Sequence, residues 1–330
     1  MSFPSLYDPF DGMCFNSHSC FLCGAAITPD DVTPVFPNWL MKQYNFADKQ
    51  LLLLDKSIIT YRELTIPCCS HCRENYVAPL ESKIEMALQE GVTGFRKLDE
   101  KDLFLWLTKM FYGILVRELL NEMNPLIKPE HAVGENPKMF LKFQSLFKLL
   151  QALRVPIVFD DFEPASIFIL EVDATEDDTP FEYRDELSTM MFSIKLGPVA
   201  IVACLLDNGI VKKALRPVWE DIKDKKLHPI QMAEFTARAY YAGYLLNIIP
   251  EYFERRPKTG EEYLIYDTLV DDITMDVFNP WEHTAYAKLL EEMWRKWNIT
   301  YGDILKNPRE PQSYIYDETG IFRETIRLSE

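Results

Sequence analysis

Two Cys-x-x-Cys pairs, Cys20 with Cys23 and Cys69 with Cys72, stand 45 residues apart in a chain of 330. A two-residue spacer lets two thiolates reach one tetrahedral ion, and sulfur ligands select zinc over hard cations. Two such pairs supply four protein ligands. That predicts a closed, structural zinc site and ties the segment between the pairs into one module. A redox motif needs only one pair. Four buried thiols and an iron–sulfur centre stay open as alternatives, because spacing does not identify the ion. Six of the seven cysteines fall between Cys14 and Cys72, with Cys204 alone outside, and clustering in pairs points to metal. Cys68 has the wrong spacing to Cys72 and reads as a packed thiol. Cys14, His18 and His71 are spare ligands, but a second site built from them would match no known pattern.

Apolar spacing sets the remaining elements. Gly24 follows the first pair and permits the tight turn that makes two sulfurs converge. Pro37 suits the entry to a short helix at Trp39 and Leu40. Leu80, Ile84 and Leu88 share one face, predicting a helix over 74–88 that ends at Gly91 and Gly94. Asp99 caps a further helix over 103–121, whose broad buried face includes Trp106, Leu107 and Phe111. Asn124-Pro125 stops it. A linker over 131–137 precedes an apolar helix over 139–153. Strands are then predicted at 157–159, 166–173, 190–195 and 200–206. Their connections look too short for crossover helices, so the expected sheet is antiparallel. Helices follow over 231–249, behind Pro229, and over 282–297. Residues 261–276 and the last twenty are ambiguous by periodicity.

The expected class is α+β: a zinc-knuckle module over 1–98, a helical middle over 99–153, and over 154–330 an antiparallel sheet packed with C-terminal helices. An apolar fraction of 48% is ordinary for a globular chain. Met1 to Phe10 has no basic region and no long apolar stretch follows it. The expectation is a cytoplasmic protein with no membrane partner. Net charge is -16 with no strongly basic block, which disfavours nucleic acid as a partner and favours a protein with a basic face.

The residues around the cysteines read Cys20-Phe21-Leu22-Cys23-Gly24, then Val35-Phe36-Pro37-Asn38-Trp39-Leu40, then Cys69-Ser70-His71-Cys72, then Leu80-Glu81. This order resembles bacterial and phage HNH endonuclease-like proteins that carry two zinc knuckles. The resemblance covers about the first 120 residues, with looser similarity over 192–197 and 228–240. It implies a Glu-His pair where this chain has Thr33 and Pro34. Proline has no titratable group and cannot activate a water. It also implies an asparagine where this chain has Arg73, and arginine repels a cation. The frame is therefore expected to persist with no catalytic residue assigned.

Three functions follow from that reading. The first is a non-catalytic, zinc-stabilised scaffold or macromolecule-binding protein, with a role in phage–host conflict implied by the resemblance. The second is a divalent-metal-dependent HNH-like endonuclease with relocated chemistry, drawing on His18, His71, Asp30 or Asp31. The third is a phage structural or assembly component. Glu282-His283 and His228-Pro229 read as helix entries. Tyr240 and Tyr244 share a helix face while Tyr241 turns away, and packing is favoured over an interface for all three. The carboxylates Asp160, Asp161, Glu163, Asp173, Glu176, Asp177 and Asp178 fit no ordered cation loop and read as wet surface.

Overall fold

Caps and apolar spacing start the helices where the sequence puts them, and short strands fill the intervals. A computed structural model of the chain describes residues 6–11, 15–53, 56–120, 137–176, 179–255, 262–269, 276–307 and 310–328. Cys14, Asn124, Pro125, His131, Asp177 and Asp178 lie outside the described residues. Strand β1 (Val32–Pro34) leads through α1 (Asn38–Gln43) to the hairpin of β2 (Gln50–Leu52) and β3 (Ile58–Thr60), and β4 (Thr65–Pro67) returns beside β1. Helix α2 (Ser70–Cys72), a π-helical turn at Arg73–Val77 and α3 (Ala78–Gln89) run on without a break. Next come α4 (Val92–Lys97), α5 (Glu100–Leu119) and α6 (Pro137–Leu150). The Asp99 carboxylate caps α5 by accepting from the Lys101 backbone N–H at 2.8 Å.

The chain then turns to sheet: β5 (Ile157–Phe159), β6 (Ala165–Val172), β7 (Phe181–Glu186), β8 (Met191–Leu196) and β9 (Val199–Leu205). Helices α7 (Ile210–Ala214) and α8 (Arg216–Ile222) lead to β10 (Lys226–Leu227) and the long α9 (Pro229–Leu245). After β11 (Glu251–Arg255) and β12 (Leu264–Leu269) the described chain closes with α10 (His283–Met293) and α11 (Tyr301–Ile304). The class is α+β, as expected. No described helix is long and apolar enough to cross a membrane.

The chain divides into two compact units. The first comprises 1–90, 97–163 and 250–269. Among the described residues it contains three small sheets, β1-β4, β2-β3 and β11-β12-β5. Trp106 and Phe111 of α5 are fully buried in it, as the sequence predicted, and so is Tyr112. Gly113 matters here: a Cβ on it would lie 2.8 Å from Val35 Cγ2, so only glycine lets α5 come this close to the chain after β1.

The second unit comprises 91–96, 164–249 and 270–330. Its sheet has the order β10-β6-β9-β8-β7. Phe168, Leu170 and Val172 of β6 and Ala200, Val202 and Cys204 of β9 share a core with Phe235, Ala239 and Ala242 of α9. Period-two alternation puts these strand residues on one face.

Three expectations change. The sheet is antiparallel from β6 through β9 and β8 to β7, but β10 joins β6 in parallel, after the crossover through α7 and α8. Strand β5 forms where predicted, yet it pairs in parallel with β12 and belongs to the first unit. The tyrosines also divide differently. Tyr240 and Tyr241 are buried, but Tyr244 is 67% exposed and stacks on Tyr241 at 6.2 Å between centroids. Helix α9 ends at Leu245, one residue on.

Candidate metal centre

Strand pairing brings the two cysteine pairs together. The β1-β4 ladder pairs Val32 with Pro67, which delivers the chain into Cys68 and Cys69. The Phe21 N–H donates to the Pro67 carbonyl at 2.8 Å and the Cys68 N–H to the Asp31 carbonyl at 2.8 Å. The first knuckle is closed by an isolated bridge between Ser19 and Ala26 and by Gly24 N–H on the Cys20 carbonyl at 2.9 Å. Gly24 has φ +72°, and a Cβ there would meet the Tyr7 ring at 2.5 Å. The second knuckle opens a helix: Cys69 is the N-cap of α2, and its sulfur accepts from the Cys72 N–H at 3.4 Å.

The ligand sulfurs of Cys20, Cys23, Cys69 and Cys72 all lie within 4.8 Å of one another. Cys23 Sγ and Cys69 Sγ are 3.8 Å apart. Tetrahedral zinc with bonds of about 2.3 Å holds its sulfurs about 3.8 Å apart, so the cluster has the right dimension for a shared ion. Cys20 and Cys72 are fully buried, while Cys23 and Cys69 are partly exposed. Without a cation the thiols compete for charge. Donation from Cys68 and Cys72 holds the Cys20 thiol far below the ordinary thiol range. The bond to Cys20, together with burial, pushes Cys72 far above it, and burial raises Cys23. A divalent ion removes this conflict by stabilising all four thiolates at once.

The spare ligands stay out of the cluster. Cys68 is buried and is not one of the four gathered sulfurs, with its Sγ 3.6 Å from the Cys69 carbonyl oxygen, the packed thiol the spacing indicated. His71 is exposed, with its Nδ1 3.3 Å from Asn75 Nδ2 and its ring edge-on to Tyr76. His18 is also exposed. Asp31 accepts from the Thr28 N–H and hydroxyl at 3.0 and 2.7 Å, which closes a local turn. Asp160 is paired with Arg255, and Asp173 with Lys226 at 3.0 Å. Among the described residues, the four cysteines are the one group with three or more such ligands gathered.

A lysine that the sequence reading missed occupies the neighbourhood of Pro34. Lys109 of α5 is 1% exposed. Its ammonium donates to the carbonyls of Pro34 and Val35 at 2.8 and 2.9 Å and to Glu81 Oε1 at 2.7 Å. Arg73 adds a donation to the Val32 carbonyl at 3.2 Å. A lone lysine in the apolar run 103–116 was the available signal, since such a charge is buried only when paired. The two helix entries hold. His228 caps α9 through Nδ1, which accepts from Ile230 N–H at 3.2 Å, and Glu282 is the N-cap of α10.

Comparison with protein-family models, curated proteins and solved structures finds no match. The four-cysteine cluster by itself does not identify a family.

Proposed function

We propose that the chain is a non-catalytic scaffold, held together in its first unit by a structural zinc ion on Cys20, Cys23, Cys69 and Cys72, that binds another macromolecule. Four protein ligands leave no open coordination position for a water, so the ion contributes to folding rather than to hydrolysis. One observation carries the reading: the buried Lys109 ammonium lies against the Pro34 and Val35 carbonyls and is neutralised by Glu81. In the HNH resemblance this is where a histidine and a divalent ion would act. Proline offers no base at this position, and the Pro34 and Val35 carbonyls are already taken by the Lys109 ammonium. On this reading the protein is a degenerate HNH-like module from a phage or mobile-element setting, working in the cytoplasm. The net charge of -16 favours a protein partner with a basic face over nucleic acid.

The test joins metal content to cleavage. Elemental analysis of the purified full chain is expected to give one zinc per chain and no iron. Single- and double-stranded DNA and RNA, incubated with magnesium, manganese or nickel, are expected to stay intact. Cleavage that disappears in His18→Ala or His71→Ala with zinc retained would sink the non-catalytic reading. Iron in place of zinc would sink the zinc assignment.

A further inference from the structure

The four sulfurs are alike as ligands but not as targets for a reagent. Each Cys-x-x-Cys pair holds one buried and one partly exposed sulfur: Cys20 and Cys72 are buried, Cys23 and Cys69 partly exposed. The two exposed sulfurs therefore come from different knuckles. Cys23 Sγ and Cys69 Sγ are 3.8 Å apart, so a closing movement of about 2 Å brings them to disulfide bonding distance. The backbone keeps them opposed without an ion, through the Phe21 N–H on the Pro67 carbonyl at 2.8 Å and the pairing of Val32 with Pro67. The other described thiols are shielded. Cys68 is fully buried with its sulfur against the Cys69 carbonyl, and Cys204 is packed in the apolar core of the second unit.

We propose that Cys23 and Cys69 form an oxidative modification site for hydroperoxides, at which the two sulfurs join in a disulfide across the knuckles and the cluster gives up a bound zinc ion. The release of zinc rests on the function proposed above; the disulfide rests on the sulfur positions alone. One thiolate attacks a peroxide oxygen: an S–O bond forms, the O–O bond breaks, hydroxide leaves and a sulfenic acid remains. The other thiolate attacks that sulfur: the S–S bond forms, the S–O bond breaks and a second hydroxide leaves. Two electrons pass from the sulfurs to the peroxide, and both hydroxides take protons from solvent to become water. Only Cys20 and Cys72 are then left as ligands, half of a closed tetrahedral set. In a disulfide oxidoreductase a Cys-x-x-Cys motif joins its own two sulfurs. Here a bond within a pair would need a buried sulfur and would leave the knuckles joined by backbone alone. A Cys23–Cys69 bond instead closes the loop that carries β1 to β4 and restrains it as a cross-link. In a reducing compartment such bonds are transient and report on redox state.

The experiment treats the full chain with one equivalent of hydrogen peroxide, traps the remaining thiols with iodoacetamide in denaturant and maps the peptides by mass spectrometry. Zinc is counted by elemental analysis beforehand and by a chromogenic chelator afterwards. The main disulfide is expected to be Cys23–Cys69, with Cys20, Cys68, Cys72 and Cys204 alkylated and one zinc released per disulfide. Dithiothreitol with added zinc is expected to restore alkylation at Cys23 and Cys69. Cys68→Ser, which changes a thiol outside the cluster, is expected to give the same disulfide. Amide exchange over β1 and β4 is expected to be slower in the oxidised chain than in the reduced chain stripped of metal by chelator. Any of these results overturns the proposal: a main disulfide within a pair or including Cys14 or Cys68, sulfinic acid at Cys23 or Cys69 with no disulfide, loss of the bond in Cys68→Ser, or exchange over β1 and β4 as fast as in the stripped chain. A chain without zinc that still forms the Cys23–Cys69 bond refutes the zinc reading and upholds the modification site. A chain with zinc that does not form the bond refutes the modification site alone.

Discussion

The two units gather their buried polar groups in different ways, although each also buries a charge of the other sign, Glu118 in the first and Lys195 in the second. The first has strands of three residues in its β1-β4 and β2-β3 sheets. Ladders that short bury little apolar surface. The unit makes up for this with four converging sulfurs and a buried cation, Lys109. The second has a five-stranded sheet whose β6 and β9 are almost wholly buried, and it buries anions. Glu234 is fully buried and accepts from Arg238 at 2.8 Å, Ser313 Oγ at 2.7 Å and the N–H groups of Tyr314 and Ile315 at 2.6 and 3.0 Å. Asp207 accepts from Ser166 and from the turn into α7. The difference teaches which groups close each unit. In the first, side-chain cations gather backbone carbonyls, and four thiols converge at the spacing a shared ion needs. In the second, carboxylates gather the N–H groups of loops and helix starts.

The largest expected effect breaks the first unit alone. Cys72→Ser removes one of the two buried ligands, and a structural zinc site contributes on the order of 10 kcal/mol to folding. Amide hydrogen exchange is expected to show lost protection over β1, β4 and α5 with protection of β6 and β9 retained. Loss across both sheets together would remove the distinction between the units. Next in size is Lys109→Met, which strands Glu81 and two carbonyls and is expected to cost about 3–5 kcal/mol in urea unfolding. Pairing it with Glu81→Leu should recover most of that loss, because an apolar pair has no charge to desolvate.

The smallest effect sharpens the second unit. Burial outweighs the surrounding hydrogen bonds and raises the Asp207 carboxyl to about 6. A carboxyl raised in the folded state binds its proton there more tightly than in the unfolded chain. Its stabilising contribution is therefore present below pH about 4 and is lost as pH rises through 6. The loss is on the order of 3 kcal/mol. Relative to Asp207→Asn, the wild type should lose that much stability between pH 4 and pH 7 in denaturant titrations. A pH-independent difference would mean that the donors, not burial, set this site.

Much of this was legible in the sequence, and the exceptions share a cause. Cysteine spacing located all four sulfurs because ligand geometry is local. Asp99, His228 and Glu282 marked helix starts for the same reason. The strands β1, β2, β3 and β4 were not predicted: each has three residues, and unlike the run Ile157-Val158-Phe159 of β5 none but β3 is made wholly of branched or aromatic side chains. Strand β7 was not predicted, although Phe181 and Tyr183 alternate with charges as in a half-exposed strand. The parallel pairings of β10 with β6 and of β12 with β5 join distant segments, and no local rule specifies a partner that far away. Lys109 stood out only as a charge in an apolar run, and its three acceptors come from elsewhere in the chain.

The unequal burial of the four sulfurs gives the cluster a direction. Cys20 and Cys72 face the interior, while Cys23 and Cys69 are reached from solvent. A competing chelator or an electrophile meets the outer pair first and finds the inner pair still engaged. For an ion held by all four, exchange would then have an order, outer sulfurs before inner ones. The lifetime of a bound ion is set by how long the buried pair can hold it alone.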